Sequence, residues 1–208
     1  MNQANVSIVL HERDLPDGIA LGPVIAVDTE TMGLKPGRDR LCLVQLYGGD
    51  DTCHLVRFSG GHESAPNLCR LLADPATEKL FHFARFDIAA LRHHLGVTCR
   101  PVYCTKVASK LARTYTDRHG LKDLCRELLG IELAKEMQSS DWGAPDLSEA
   151  QLSYAANDVL HLHRLRERLD AMLRREGRAE LARACFGFLP ERAELDLAGW
   201  ADVDIFAY

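Results

Sequence analysis

The chain has little that would send it into a membrane, out of the cell or onto a long nucleic acid. None of its 208 residues fall in an apolar run of the length a bilayer-spanning helix needs. The start, Met1-Asn2-Gln3-Ala4-Asn5, carries no basic residue, and the apolar run Val6 to Leu10, with Ser7 inside it, is too short for a secretory leader. Cysteines number seven, an odd count, with no Cys-x-x-Cys pair. Cys42, Cys53, Cys69, Cys99, Cys104, Cys125 and Cys185 mostly fall in apolar periodic segments. They are therefore expected to be reduced core residues of a cytoplasmic protein, with no spacing that favours zinc. Positive charge is also short: 25 Lys and Arg against 30 Asp and Glu give a net charge of −5 at pH 7 and a pI near 6.0. Such a chain lacks the overall basic footprint of a protein that grips many phosphates. A nucleotide substrate remains open, either short and held in a local pocket, or bound in a basic groove that the average conceals.

The composition that remains is that of an ordinary soluble globular protein, 47% hydrophobic and 26% charged. With no internal repeat and no low-complexity linker, the chain reads as a single α/β domain over residues 1–208, with strands dominating the first half and helices the second.

Three short acidic segments stand out. In Val24-Ile25-Ala26-Val27-Asp28-Thr29-Glu30, an apolar run leads into carboxylates at i and i+2, which share one face of a strand. Phe81-His82-Phe83-Ala84-Arg85-Phe86-Asp87 is the second. In Tyr154-Ala155-Ala156-Asn157-Asp158, Tyr154 and Asp158 are i and i+4 in a strongly helical stretch and share a helix face. Together these offer four carboxylates and a phenol, an oxygen-ligand set suited to Mg²⁺ or Mn²⁺ and hence to phosphodiester chemistry.

The remaining pattern predicts a strand over 6–10, a buried strand over 24–29 and a hairpin of 41–47 with 52–58. Between them, Thr31 to Arg38 reads as a loop. A helix over 66–73, a strand near 79–83 and a helix over about 86–95 follow, then helical segments near 102–113 and 120–129. Ser148-Glu149-Ala150-Gln151 has the form of a capping box, so a long helix is expected from there to about Glu176, stopped by Gly177. A short helix near 178–186 leads into an apolar and acidic tail.

On these residues the chain resembles the DEDD-type 3′→5′ exonucleases of the subgroup with tyrosine in the last motif. Asp28-Thr29-Glu30 is similar to the first motif, His82 to Asp87 to the second and Tyr154-x-x-x-Asp158 to the third. Leu43-Val44-Gln45-Leu46, Pro101 to Lys106, His119 to Leu124 and Ser140-Asp141-Trp142 resemble further segments of the ribonuclease D family. The resemblance covers roughly residues 20 to 170. It implies an RNase H-like fold, a mixed central sheet flanked by helices, here without the C-terminal helical RNA-binding domains of ribonuclease D. A catalytic core of about 20–175 would be followed by a C-terminal helix and tail over 176–208. The shortness, the acidic balance and the segment Gly199 to Phe206 look more like the nanoRNase C family, which degrades very short RNAs, 5′-phosphorylated diribonucleotides above all, and assembles as an octamer.

What this resemblance implies for the site is specific. Asp28, Glu30, Asp87 and Asp158 would hold two divalent ions about 4 Å apart that clamp the scissile phosphate. Tyr154 would orient the attacking water, since a phenol near pKa 10 is a poor base at neutral pH. Around them Thr29, Leu34, His82, Lys106 and Trp142 are candidates for touching substrate. Leu34 either wedges between bases or anchors its loop; Trp142 either offers a stacking face or packs under the long helix. Arg113, Arg118, His119 and Lys122 join Lys106 as basic candidates for a terminal phosphate. Trp200, Val203, Ile205, Phe206 and Tyr208 are too apolar for a free end and point to a contact between subunits. Two other functions remain open: ribonuclease D-like trimming of longer RNA 3′ ends, and a catalytically silent exonuclease fold used for binding.

Overall fold

In the computed structural model, residues 6–60, 64–133 and 140–208 are described; residues 1–5, on which the expectation about a leader bears, lie outside them. Six strands form one mixed sheet: β1 (Ser7–Glu12), β2 (Val24–Thr31), β3 (Leu41–Tyr47), β4 (Thr52–Arg57), β5 (Glu78–Phe81) and β6 (Val102–Cys104). The spatial order is β1-β4-β3-β2-β5-β6. β3 runs antiparallel to both its neighbours, whereas β1 with β4, β2 with β5 and β5 with β6 are parallel. β3 is buried along its whole length, as its sequence Leu-Cys-Leu-Val-Gln-Leu-Tyr dictates for a strand covered on both faces. Gln45 is the one polar side chain in it.

Helices α1 (Pro66–Ala73), α2 (Ala84–Leu95), α3 (Thr105–Ala112), α4 (Leu121–Leu124), α5 (Glu149–Leu160), α6 (Leu162–Arg175) and α7 (Ala179–Leu195) surround the sheet. α4 runs on into a π-helical turn over Cys125–Leu129, and α7 into another over Asp196–Trp200. The capping box forms as its sequence predicts: Ser148 Oγ accepts from Gln151 N, and Gln151 Oε1 accepts from Ser148 N at 3.0 Å. Further along α5, Ala155, Ala156 and Val159 are buried, and these small side chains let the helix lie close against the sheet. In α6, Leu162, Leu165, Leu169 and Leu173 form the apolar stripe that faces the core.

The elements depart from expectation in three places. Residues 102–104 are a strand and not the start of a helix, because Val102, Tyr103 and Cys104 pair in parallel with Lys79, Leu80 and Phe81. The long helix is two helices divided at His161, whose ψ of −6° leaves helical geometry with no Gly or Pro present to announce it. α7 runs past Gly187 and Pro190 to Leu195, because Phe186, Leu189, Pro190 and Ala193 are buried against the rest of the fold and that burial outweighs the proline's local cost. All seven cysteines are unpaired, five of them buried.

Candidate active site

β2 ends in an irregular register, with a bulge between Glu30 and Thr31 opposite β3. Bulges re-aim side chains at the ends of strands, and this one falls on the second carboxylate of the pair. α5 crosses the same region and presents Asp158 to it. The result is that single carboxylate oxygens of Asp28, Glu30 and Asp158 lie within 4.8 Å of one another, among the described residues the one grouping of three or more ligating side chains with metal-site geometry.

Asp87 comes from the first turn of α2 and is buried, at 3% exposure. Thr29, between the two carboxylates on β2 but on the opposite face of the strand's alternation, donates its hydroxyl to Asp87 Oδ1 at 2.7 Å. Beneath the site, Gln45 stands directly across the sheet from Asp28, and its Nε2 donates to Asp28 Oδ2 at 3.4 Å. Its other amide atom, Oε1, is buried with no hydrogen-bond partner among the described residues.

The carboxylates of Asp28, Glu30 and Asp158, and that of Asp87, which acts on them electrostatically, cannot all ionise freely. Burial, and after it the negative charges of Asp87, Asp158 and Glu30, hold Asp28 well above the usual carboxylate range. Glu30 is pushed up to about 9, first by burial and then by Asp158 and Asp87. Burial raises Asp158 and Asp87 each to about 7, with the Thr29 hydroxyl pulling Asp87 the other way. Such a cluster binds protons at neutral pH unless divalent cations take their place. An all-oxygen donor set of high negative charge fits Mg²⁺ or Mn²⁺ well.

Tyr154 is partly buried on the same side, and burial together with Asp158, Glu30 and Asp28 raises its phenol further above neutrality. It stays protonated and can only donate or accept a hydrogen bond. Its ring lies 6.1 Å from that of Trp142, tilted by 37°. Trp142 is itself 4% exposed, so it packs beside the phenol and presents no open stacking face. Its Nε1 is buried with no hydrogen-bond partner among the described residues.

The other expected contacts are arranged around this cluster. Leu34 is 86% exposed at the tip of the loop leaving β2. That loop is pinned at its base, where Met32 N donates to Arg40 O at 3.0 Å and Lys35 N to Asp39 Oδ2 at 3.0 Å. A Cβ at Gly33 would meet the Asp39 carboxylate and oblige it to swing away from Lys35 N. His82 pairs through Nδ1 with Thr105 Oγ1 at 2.9 Å, and Thr105 in turn donates to Phe81 O at 3.2 Å. That assigns the proton to Nδ1 and leaves Nε2 as an acceptor. Burial, then the charge of Lys106, pushes His82 down to about 3, so it stays neutral. The Lys106 ammonium sits 4.1 Å from the centre of the Phe83 ring.

Arg113 leaves the list of phosphate candidates. Its side chain has no exposure, and its guanidinium donates to Glu127, Ser109 Oγ and Arg118 O. Sequence reasoning passed over Gln45 and Phe83. A lone amide in an apolar strand is the available signal for the first.

Residues 8–174 match the family described as 3′-5′ exonuclease. The ribonuclease D of Acidiphilium cryptum is 39% identical over 166 residues, covering 80% of this chain and 42% of that protein. The chain thus spans about two fifths of the length of the curated relatives it matches. Among solved structures, Brucella melitensis NrnC bound to pGG is 54% identical with a TM-score of 0.94, covering 98% of this chain and 99% of that one. Brucella melitensis NrnC with bound Mg²⁺ is 53% identical with a TM-score of 0.93, covering 98% and 100%. The fold, the order of the acidic motifs and these similarities agree: the chain belongs to the 3′-5′ exonuclease family, in its ribonuclease D-like branch.

Proposed function

We propose that this protein is a metal-dependent 3′-5′ exoribonuclease that hydrolyses very short RNA, diribonucleotides above all, to nucleoside 5′-monophosphates. The observation that carries the reading is the near-complete likeness to NrnC bound to pGG, a two-base ligand, joined to the carboxylate cluster in this chain. A net charge of −5 fits a substrate with few phosphates.

Asp28, Glu30, Asp158 and Asp87 would hold two divalent ions. When bound, such ions supply Lewis acidity to the scissile phosphate and lower the pKa of a bound water. The chain's own contribution is positional. Asp28 is held by Gln45 and Asp87 by Thr29, while Tyr154, steadied by Trp142, directs its phenol to the attacking water as a neutral hydrogen-bonding group. Leu34 and Lys106 would line the RNA, and His82 offers Nε2 as an acceptor toward a sugar or base. None of these assignments asks for a protein base, because the phenol and the neutral imidazole are both poorly matched to that task.

The exposed tail suggests assembly. Trp200, Val203, Ile205 and Phe206 are 46%, 50%, 45% and 75% exposed, and burial against further copies would cover them, consistent with an octamer. Seven unpaired cysteines suit a reducing cytoplasm, and among the described residues no helix is long and apolar enough to cross a membrane.

The test is product formation from 5′-phosphorylated RNAs of two to ten nucleotides with Mg²⁺ or Mn²⁺, alongside Asp28→Ala. Fast cleavage of the dinucleotide with slow cleavage of longer chains is expected. Even cleavage at all lengths would favour ribonuclease D-like trimming. Absence of metal-dependent activity would leave a binding module.

A further inference from the structure

Phe83 breaks two local rules at once. Its φ of 73° and ψ of 39° place it in the left-handed region, where Gly and Asn sit easily and a bulky aromatic does not. It also occupies the N-cap of α2, a position favoured by Ser, Thr, Asp or Asn, and supplies no side-chain cap. Among the described residues only one other non-glycine, Arg13, has a positive φ. A residue that satisfies neither backbone nor cap is held there by its surroundings, and such outliers cluster at functional sites.

The surroundings are specific. Phe81, two residues earlier, and Ala84, the next residue, have no exposure, yet Phe83 is 45% exposed. It is therefore turned out of the core. One face of the ring is covered by the Lys106 ammonium at 4.1 Å, a cation–π contact. Their chain neighbours are joined by hydrogen bonds from His82 Nδ1 to Thr105 Oγ1 and from Thr105 Oγ1 to Phe81 O, which tie the carboxyl end of β5 to the first turn of α3. Asp87 follows Phe83 by one turn along α2. The ring thus stands at the carboxyl ends of two parallel strands, the region where open α/β sheets bind ligands, one helical turn from a carboxylate of the cluster.

We propose that Phe83 is a base-stacking platform of the substrate site: its open face takes a nucleobase of the bound RNA, and Lys106 holds the ring in place from the other side. This rests on the exoribonuclease reading and does not depend on substrate length. Stacking accepts any base, because every base has a π-face. The site would then grip a terminal nucleotide without reading its sequence.

The experiment compares KM and kcat for an RNA the full-length enzyme cleaves with those for the same RNA lacking one base, removed in turn from each of the last two nucleotides. In the wild type, removing the stacked base raises KM by about 5- to 150-fold. Phe83→Asn, which keeps the left-handed backbone, raises KM for intact RNA by a similar factor and shows no further loss when that base is absent. Phe83→Leu behaves in the same way, and Phe83→Tyr recovers most of the affinity. KM for Phe83→Asn within twofold of wild type overturns the proposal. So does a rise that is equal for intact and abasic RNA, since the ring then acts only on the fold, and so does a change in sedimenting mass, which makes it a subunit contact. Loss of the preference for dinucleotides leaves this comparison intact, as it can be run on any length that is cleaved.

Discussion

The Thr29 hydroxyl donates to Asp87 Oδ1 at 2.7 Å, joining residues 58 positions apart in the sequence. One side chain on β2 thereby orients a carboxylate on α2, while its neighbours Asp28 and Glu30 serve the cluster directly. Thr29→Val keeps shape and β propensity and removes only the donor. Loss of a ligand's hydrogen-bonding partner costs roughly 10- to 100-fold in metal affinity or activity. The bond lowers the pKa of Asp87, so the acid limb of the pH–rate profile should move to higher pH in the variant. A profile that superimposes on the wild type would remove Thr29 from the site.

Gln45 should separate stability from activity. Its amide reaches Asp28 at 3.4 Å, while its Oε1 is buried with no partner among the described residues. Gln45→Leu removes a long hydrogen bond and an unsatisfied acceptor together, so the thermal midpoint should hold or rise. Activity should fall about 10-fold as Asp28 loses its anchor. Measuring both on one preparation decides it; a large drop in midpoint with activity intact would contradict the role.

The acidic cluster predicts an unusual pH dependence for the metal-free protein. Asp87 and Asp158 are raised to about 7 and Glu30 to about 9. Because these folded-state values lie above those of the unfolded chain, the folded state holds protons the unfolded chain has released. Their contribution to stability is full below about pH 4 and is lost progressively as pH rises from there through the folded values of about 7 to about 9. The metal-free midpoint should therefore fall over that window, and excess Mg²⁺ should flatten the fall. At pH 8, Asp28→Asn should raise the metal-free midpoint by several degrees, about 1 kcal/mol being worth about 2–4 °C in a chain of this size. A midpoint indifferent to Mg²⁺ would count against the site.

Arg113 predicts the opposite separation. Fully buried and bonded to Glu127, Ser109 and Arg118 O, it is a structural cation. Arg113→Met should cost about 3 kcal/mol by stranding its partners, seen as a lower urea midpoint, with kcat per folded molecule little changed.

The site was legible where local periodicity carries it. An apolar run into Asp28-Thr29-Glu30 fixes the strand and its shared face, and the capping box with Tyr154 and Asp158 at i and i+4 fixes the helix. Gln45 was hidden because its partner is set by the register of β3 on β2, which no local pattern encodes. The strand at 102–104 is three residues long and paired only through β5, too short for a period to show. Gly187 and Pro190 interrupt the helical pattern after 186, and only the buried face of α7 carries it on to Leu195. Arg113 reads as a surface cation until the fold encloses it. Trp142 could have been a stacking face or a core residue, and its burial beside Tyr154 decides for packing.

The most direct test of the account is Mn²⁺ binding followed by calorimetry and electron paramagnetic resonance, on the full-length protein with and without a 5′-phosphorylated dinucleotide. The account predicts Mn²⁺ bound at the carboxylate cluster, with two ions per chain close enough to couple magnetically when the dinucleotide is present, and loss of both signals in Asp28→Asn. Mn²⁺ binding that is absent, or that survives unchanged in Asp28→Asn, would contradict it.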